Sequence, residues 1–113
     1  MSSTTAHCLV YVTAGDPDEA RSIGRAMVEA RLAACANLFP AMVPIFRWDG
    51  EVREGSESVL ILKTTASRAE KLVEEVKKMH SYDCPCAVIL PISGGNPAFL
   101  NWITDETVED GPS

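Results

Sequence analysis

Four side chains that commonly bind metals lie within seven residues of one another: His80, Asp83, Cys84 and Cys86. An imidazole, a carboxylate and two thiols are ligand types that suit zinc and copper. If Cys84 and Cys86 lie in one strand, both thiols point to the same side of it, because strand side chains alternate. The spacing therefore predicts a site for copper or another divalent cation, with His80, Cys84 and Cys86 as its ligands.

The same residues also allow an interpretation without metal. A structural zinc site usually takes four ligands from paired Cys-x-x-Cys or His-x-x-x-His units, and a single Cys-x-Cys is only part of such a set. In this alternative, Cys84 and Cys86 are small buried hydrophobic residues at the start of a strand, and His80 binds the last carbonyls of a helix. Cys35, between a helix and a strand, is expected to pack in the interior. Both interpretations stay open at this point.

Motifs of catalysis are missing from the chain. Gly94 and Gly95 follow a strand but lack the further glycines and the lysine of a phosphate-binding loop. The sequence has no nucleophile elbow, and its two histidines give few candidate bases. We therefore expect a protein that is not an enzyme and that binds no organic cofactor.

Composition bounds the size and the surroundings of the protein. With 113 residues, 46% of them hydrophobic and 23% charged, the chain is expected to form one domain over 1–113, with disordered ends at 1–6 and 108–113. A net charge of -6 argues against a basic surface for nucleic acid or for an anionic membrane. The first residues lack the basic and apolar parts of a secretory signal, which favours a cytoplasmic protein with reduced thiols.

Hydrophobic periodicity and turn signals predict the elements that must position these residues. Asp16-Pro17 begins a helix, and Glu19 can complete its capping box. Ser67 begins a second helix with Glu70 as its capping-box partner, and Asp49-Gly50 predicts a hairpin turn. The predicted strands are 8–13, 35–48, 51–63 and 84–92, and the predicted helices are 16–34, 67–79 and 98–107.

Three of these strands contain runs that are apolar on both faces, namely 9–12, 59–62 and 87–92. A run without alternation requires both faces of the sheet to be dry. The two long helices are enough to cover one face, so another copy of the protein is expected to cover the other. The strand 35–48 contains Pro40 and Pro44, which predicts a bent strand or one at the sheet edge.

The order of the elements predicts the fold class. Strand, helix, strand, strand, helix and strand, joined by right-handed crossovers, give an α+β, ferredoxin-like βαββαβ sandwich with an antiparallel sheet and, here, an extra C-terminal helix. The first and third strands occupy the centre of such a sheet, and both contain doubly apolar runs. The element order and the expected burial therefore agree.

Several segments of the chain together resemble the CutA family of divalent-cation tolerance proteins: 30–38, 46–52, 57–64, 80–83 and 100–102. The resemblance covers nearly the whole of the predicted domain. It implies a ferredoxin-like fold and a tight homotrimer whose sheets meet around a shared axis. It also implies a non-catalytic role in tolerance of divalent metal ions, with copper or another divalent cation bound weakly.

The resemblance bears directly on the candidate metal ligands. The family histidine that matches His80 is a copper ligand in some relatives, whereas Val12 stands where copper-binding bacterial relatives have a cysteine. Ser81 replaces a proline of the family pattern, and Cys86 replaces a glutamate. The metal site of those relatives therefore does not carry over unchanged to this chain.

The chain also contains a second group of candidate residues, whose side chains are polar or aromatic. The resemblance places most of them near clefts between subunits. Such clefts suit a small ligand. In the alternative, Trp48 and Trp102 anchor a neighbouring subunit, and Glu57 and Lys63 pair in the interface. A PII-like trimeric sensor of small ligands, or a structural scaffold, stays open as a different class, although the Asp49-Gly50 turn replaces the long recognition loop of PII proteins. The group comprises Arg47, Trp48, Glu57, Lys63, Tyr82 and Trp102.

Overall fold

A computed structural model describes residues 6–108. The predicted disorder at 1–6 and 108–113 therefore lies outside the described residues, except at Ala6 and Val108. Ala6 is placed by its carbonyl oxygen, which accepts a hydrogen bond from the backbone N–H of Ala66 at 2.9 Å.

Four antiparallel strands form the main sheet: β1 (His7–Ala14), β2 (Cys35–Met42), β5 (Glu57–Thr65) and β6 (Ala87–Ile92). Their spatial order is β2-β5-β1-β6, so the first strand and the strand leading into the second helix lie at the centre. This order is that of the ferredoxin-like sandwich, and the predicted fold class is confirmed.

A separate two-stranded hairpin extends from the main sheet. It consists of β3 (Ile45–Trp48) and β4 (Glu51–Glu54). Asp49 and Gly50 form its turn with positive φ angles of 55° and 80°, as a type I′ turn requires.

Each of the two long predicted strands is broken where the hairpin departs from the sheet. The strand predicted at 35–48 breaks at Pro44, which lies between β2 and β3, and its pairing with β5 also shifts between Phe39 and Met42, next to Pro40. The strand predicted at 51–63 breaks at Gly55, whose N–H donates to the Pro44 carbonyl at 3.1 Å. Proline cannot donate a ladder hydrogen bond, so the first of these strands bends at its prolines, and β2 lies at the sheet edge as predicted.

The first helix, α1 (Pro17–Glu29), is shorter than predicted. Its start agrees with the prediction, because the Asp16 side chain accepts a hydrogen bond from the N–H of Glu19 at 2.8 Å. The predicted end near Ala34 is wrong. Arg31 has a φ of 59°, and the backbone N–H groups of Leu32 and Ala33 both return to the Met27 carbonyl, which turns the chain into β2.

The other two helices begin close to their predicted positions. Helix α2 (Ala66–Met79) follows Thr65 directly. The predicted Ser67–Glu70 capping box is wrong, because the Ser67 hydroxyl instead contacts the Thr65 hydroxyl at 3.3 Å. Helix α3 (Pro97–Glu106) is capped by the Asn96 side chain.

Helices α1 and α2 cover one face of the sheet. The side chains between these helices and the sheet form the hydrophobic core. Every second side chain of β1 and β5 belongs to it, because successive side chains of a strand point to opposite faces. The core residues are Val10, Val12, Ala14, Ala20, Ile23, Met27, Leu32, Ala33, Leu60, Leu62, Leu72 and Val76.

The opposite face of the sheet, which we call the open face, is covered only in part. Helix α3 contacts β1 and β5 on this side, where His7 Nε2 lies 2.8 Å from the Thr104 hydroxyl. The rest carries half-exposed apolar side chains, with Phe39 50%, Val88 49% and Leu90 44% exposed. Within one chain, therefore, the second apolar face predicted from sequence is not dry.

Candidate functional site

A groove lies between the β3–β4 hairpin and the segment that leads from α2 into β6. Its volume is about 600 Å³. The hairpin supplies aromatic walls, and the segment 81–86 supplies a phenol and two thiols. The lining residues are Thr13, Pro44, Phe46, Trp48, Gly55, Ser56, Glu57, Tyr82, Cys84 and Cys86.

Cys84 and Cys86 lie in this groove but not in a strand. The strand predicted from Cys84 begins only at Ala87, so the prediction that one strand directs both thiols is wrong. The alternative, that the two cysteines are buried hydrophobic residues, is also wrong within one chain, because both are exposed. The carbonyl of Cys86 accepts a hydrogen bond from the Thr13 N–H at 3.4 Å and fixes the end of the segment beside β1.

Glu57 and Tyr82 join the two sides of the groove. The Tyr82 hydroxyl donates to Glu57 Oε2 at 2.9 Å. Partial burial, followed by the hydrogen bond and the charge of Glu57, raises the pKa of Tyr82 to about 12. The phenol therefore stays protonated near neutral pH and remains a donor to the carboxylate.

His80 lies beneath the groove with its side chain fully buried. Its Nδ1 accepts a hydrogen bond from the Tyr82 N–H at 3.1 Å, and its Nε2 lies 2.7 Å from the Thr13 carbonyl oxygen. A backbone N–H only donates and a carbonyl only accepts, so the neutral ring carries its proton on Nε2. Both ring nitrogens are thus occupied, and the structure does not bring His80 to the thiols as a free ligand.

The alternative role predicted for His80, binding the last helix carbonyls, is confirmed for its backbone and not for its ring. His80 is the C-cap of α2, and its N–H donates to the Val76 carbonyl at 3.0 Å. The ring binds Thr13, which lies in β1. The ring therefore ties the segment after α2 to the end of β1.

The sequence predicts Glu19 only as the capping-box partner in α1, whereas its side chain binds Gly15 and the segment after α2. Its Oε2 accepts the Ser81 N–H at 2.7 Å and lies 3.6 Å from His80 Nδ1, while its Oε1 accepts the Gly15 N–H at 3.2 Å. Burial alone would raise the pKa of Glu19, but the hydrogen bonds from Ser81 and Gly15 lower it overall. The serine at position 81 supplies an N–H that a proline would lack.

The remaining residues of the polar and aromatic group do not line the groove. Lys63 Nζ lies 5.3 Å from the centre of the Phe99 ring, and Trp102 stacks on the same ring with 5.5 Å between centroids. Arg47 lies on β3, where every residue is exposed. Within one chain Glu57 therefore bonds to Tyr82, and Lys63 lies over Phe99.

The metal-binding capacity of a single chain is small. Among residues 6–108, no three His, Cys, Asp or Glu side chains lie close enough together to hold one ion. Among the described residues, the candidate metal ligands of the groove are two thiols and, on the opposite wall, the carboxylate of Glu57. Such a donor set fits a soft ion of low coordination number better than a four-coordinate structural zinc.

The sheet order and the covering helices define a small α+β protein of the ferredoxin-like class. The family model "CutA1 divalent ion tolerance protein" matches residues 8–106, and the chain belongs to this family. The family is named for tolerance of divalent ions and not for a reaction. Within the described part of the chain, no helix is long and apolar enough to cross a membrane.

Two bacterial or archaeal relatives match over nearly all of their length. The divalent-cation tolerance protein CutA of Thermus thermophilus is 44% identical over 99 residues, which are 88% of this chain and 96% of that protein. The Archaeoglobus fulgidus protein of the same name is 42% identical over 103 residues, covering 91% of this chain and 99% of its own. The crystal structure of CutA1 from Oryza sativa superposes with a TM-score of 0.88 at 36% identity, covering 96% of this chain and all of the other.

Proposed function

We propose that this protein is a non-catalytic homotrimer that serves tolerance of divalent metal ions and binds copper or another divalent cation weakly in the groove. The observation that carries the proposal is the pair of exposed thiols, Cys84 and Cys86, in one groove of a chain whose family is named for divalent-ion tolerance. Thiolates are strong ligands for copper and zinc.

The donor geometry supports weak binding. Two thiols leave most of the coordination sphere of a divalent ion to water or to Glu57. His80, the third ligand predicted from sequence, can join only if its ring gives up the hydrogen bond from Tyr82. His80 can become the third ligand only after a partly buried hydrogen bond is broken. Breaking that bond costs free energy, which lowers the affinity of the site for the ion.

The open face and the hairpin support the assembly. Every residue of β3 and β4 is exposed, among them Ile45, Trp48 and Val52. An isolated two-stranded hairpin is marginally stable in water, so its apolar side chains are expected to pack on a neighbouring subunit. In a trimer, Trp48 is an anchor of that contact, and Arg47, Lys63 and Trp102 complete the clefts from adjacent chains.

Calorimetric titration with Zn²⁺, a divalent ion that does not oxidise thiols, tests this function. The wild type is expected to show saturable binding that is lost in the double variant Cys84→Ser/Cys86→Ser. Cys35→Ser, which removes a thiol outside the groove, is the matched control and is expected to bind as the wild type does. Absence of saturable binding of any divalent ion to the wild type would contradict the proposal.

A sensor of small ligands is the second candidate, and the aromatic walls favour it. The volume of about 600 Å³ lies within the range of small-molecule sites. Thermal-shift measurements against metal ions and metabolites separate the two, because a ligand that binds the folded state raises Tm. Stabilisation by metabolites alone would favour the sensor, and stabilisation by neither set would favour a scaffold.

A cytoplasmic location is part of the same proposal. The reduced thiols that the function requires are typical of that compartment. Relatives differ in this respect, because the Arabidopsis thaliana protein is named chloroplastic and the Archaeoglobus fulgidus structure is named periplasmic. Fractionation of the native host with an antibody to the protein is the direct test.

A further inference from the structure

We infer that Cys84 and Cys86 form a chelating dithiolate site for reduced copper, Cu(I), which is complete without His80. The inference rests on the proposed function. It gives the ion at the site as Cu(I), a soft monovalent ion, instead of a divalent ion. Four properties support it: the number of ligands, the stiffness of the segment that carries the thiols, the side chains around the thiols, and the protons and electrons exchanged on binding.

Coordination number is the first step. Within residues 6–108 no three ligating side chains converge, whereas a structural zinc site takes four ligands. Cu²⁺ prefers a square-planar or tetragonal set of nitrogen and oxygen donors, and Cu(I) prefers soft sulfur. Cu(I) is also a d¹⁰ ion that is satisfied by two sulfur ligands. Among these ions, Cu(I) is the one whose needs the chain meets with two thiols alone.

Stiffness of the segment is the second step. Pro85 separates the two cysteines and fixes its own φ. Beyond Cys86, the backbone is tied to β1 by the bond from Thr13. Before Cys84, Tyr82 is tied at its N–H to His80 and at its hydroxyl to Glu57. A segment held at both ends loses little conformational entropy when its thiols bind an ion.

The role of His80 follows from those contacts. Its two ring nitrogens are engaged with Thr13 and Tyr82, so it holds the thiol segment in place and does not contact the ion. His80 is therefore a positioning residue of this site. A metal-free groove and a copper-loaded groove are expected to have the same arrangement of His80.

The surroundings of the thiols are the third step. Pro44, Phe46 and Trp48 line the groove beside Cys84 and Cys86. These three side chains offer none of the nitrogen or oxygen donors that Cu²⁺ prefers. The indole of Trp48 lies in the same groove as the thiols and gives a fluorescence signal for occupancy.

The protons and electrons exchanged on binding are the fourth step. Each thiol releases one proton as its sulfur forms a bond to copper. Copper arrives already as Cu(I), so no electron is transferred and no oxidant or reductant takes part. The product is one Cu(I) bound by two thiolates per chain.

Anaerobic competition for Cu(I) against the chromophoric chelator bicinchoninate tests the site. The wild type is expected to remove one Cu(I) per chain. Cys84→Ser and Cys86→Ser are each expected to lower the affinity more than about 100-fold, since loss of a direct ligand costs more than loss of an outer contact. Cys35→Ser is the matched control and is expected to compete like the wild type.

His80→Gln separates the positioning role from ligation. With its fold verified by circular dichroism, this variant is expected to keep one Cu(I) per chain with moderately reduced affinity. Complete loss of Cu(I) binding in a folded His80→Gln protein would overturn the inference. If this variant does not fold, the wild type answers the question: Cu(I) must protect Cys84 and Cys86, and not Cys35, from alkylation as read by mass spectrometry.

The outcomes distinguish the inference from the proposed function. If the wild type and the double variant Cys84→Ser/Cys86→Ser compete equally for Cu(I), the inference fails. The proposed function still stands in that case when the wild type binds divalent ions in the calorimetric titration. If neither Cu(I) nor any divalent ion binds, both fail.

Discussion

His80 makes the polar contacts on which the shape of the groove depends most. Its fully buried ring connects the end of β1 to the segment after α2 through Thr13 and Tyr82. Its residue type and its place beside two cysteines suggested a metal ligand, but sequence cannot show whether a ring nitrogen is already bonded. That information lies in contacts between positions 67 residues apart.

The first prediction concerns this ring. His80→Ala is expected to lower the free energy of unfolding by about 2–4 kcal/mol, because it leaves buried backbone groups without partners and opens a cavity. Urea denaturation at a fixed protein concentration measures the change. Ser22→Ala, at an exposed position of α1, is the control and is expected to stay within about 0.5 kcal/mol of the wild type. An equally small effect for His80→Ala would contradict the positioning role.

The second prediction concerns pH and Glu19. The pKa of Glu19 is lower in the folded protein than in the unfolded chain, so its contribution to stability is complete above the ordinary carboxyl value of about 4.3. It is lost as pH falls through the lowered folded value. The stability difference between the wild type and Glu19→Gln is therefore expected to shrink as the pH drops below about 4. A difference that is constant from neutral to acidic pH would show that Glu19 is not ionised in these contacts.

At the scale of elements, the strand and helix types followed from local patterns, and several boundaries did not. The sequence predicts each of the two long strands as one element, the first of them bent by its prolines, but Pro44 and Gly55 divide them and create the hairpin. That division decides the site, because it brings Trp48 and Glu57 to the segment with Cys84. The sequence contained these residues in two separate groups, and only the fold of the hairpin joins them.

The third prediction tests the hairpin turn. Gly50 has a φ of 80°, and no heavy atom lies within 4 Å of the position that a Cβ would take there, so Gly50→Ala introduces backbone strain and no clash. The cost is expected to be about 1 kcal/mol in the free energy of unfolding. Gly94→Ala is the matched control: the space for a Cβ is equally open there, and its φ does not lie in the left-handed region. Equal effects of the two substitutions in chemical denaturation would contradict the turn assignment.

At the scale of the whole molecule, the open face is the surface on which we expect another copy of the chain to pack. A monomeric protein rarely leaves a broad apolar face of its central sheet uncovered. This requirement follows from sequence alone, since runs without alternation mark strands with two apolar faces. The number of copies is not contained in those runs, and the trimer comes from the family resemblance.

The fourth prediction places a charge on that face. Val88, which lies on β6 and is 49% exposed, is expected to be buried between subunits, so Val88→Asp should dissociate the assembly. Val28, which lies on α1 and is 37% exposed, is the matched control, and Val28→Asp should leave the assembly intact. Size-exclusion chromatography with light scattering measures both. Dissociation by the control, or none by Val88→Asp, would place the interface elsewhere.

Sedimentation equilibrium of the wild-type protein at micromolar concentration tests directly whether other copies of the chain cover the open face. We expect a single species with three times the chain mass of 12.2 kDa. A folded, well-behaved species of 12.2 kDa at the same concentration would contradict it.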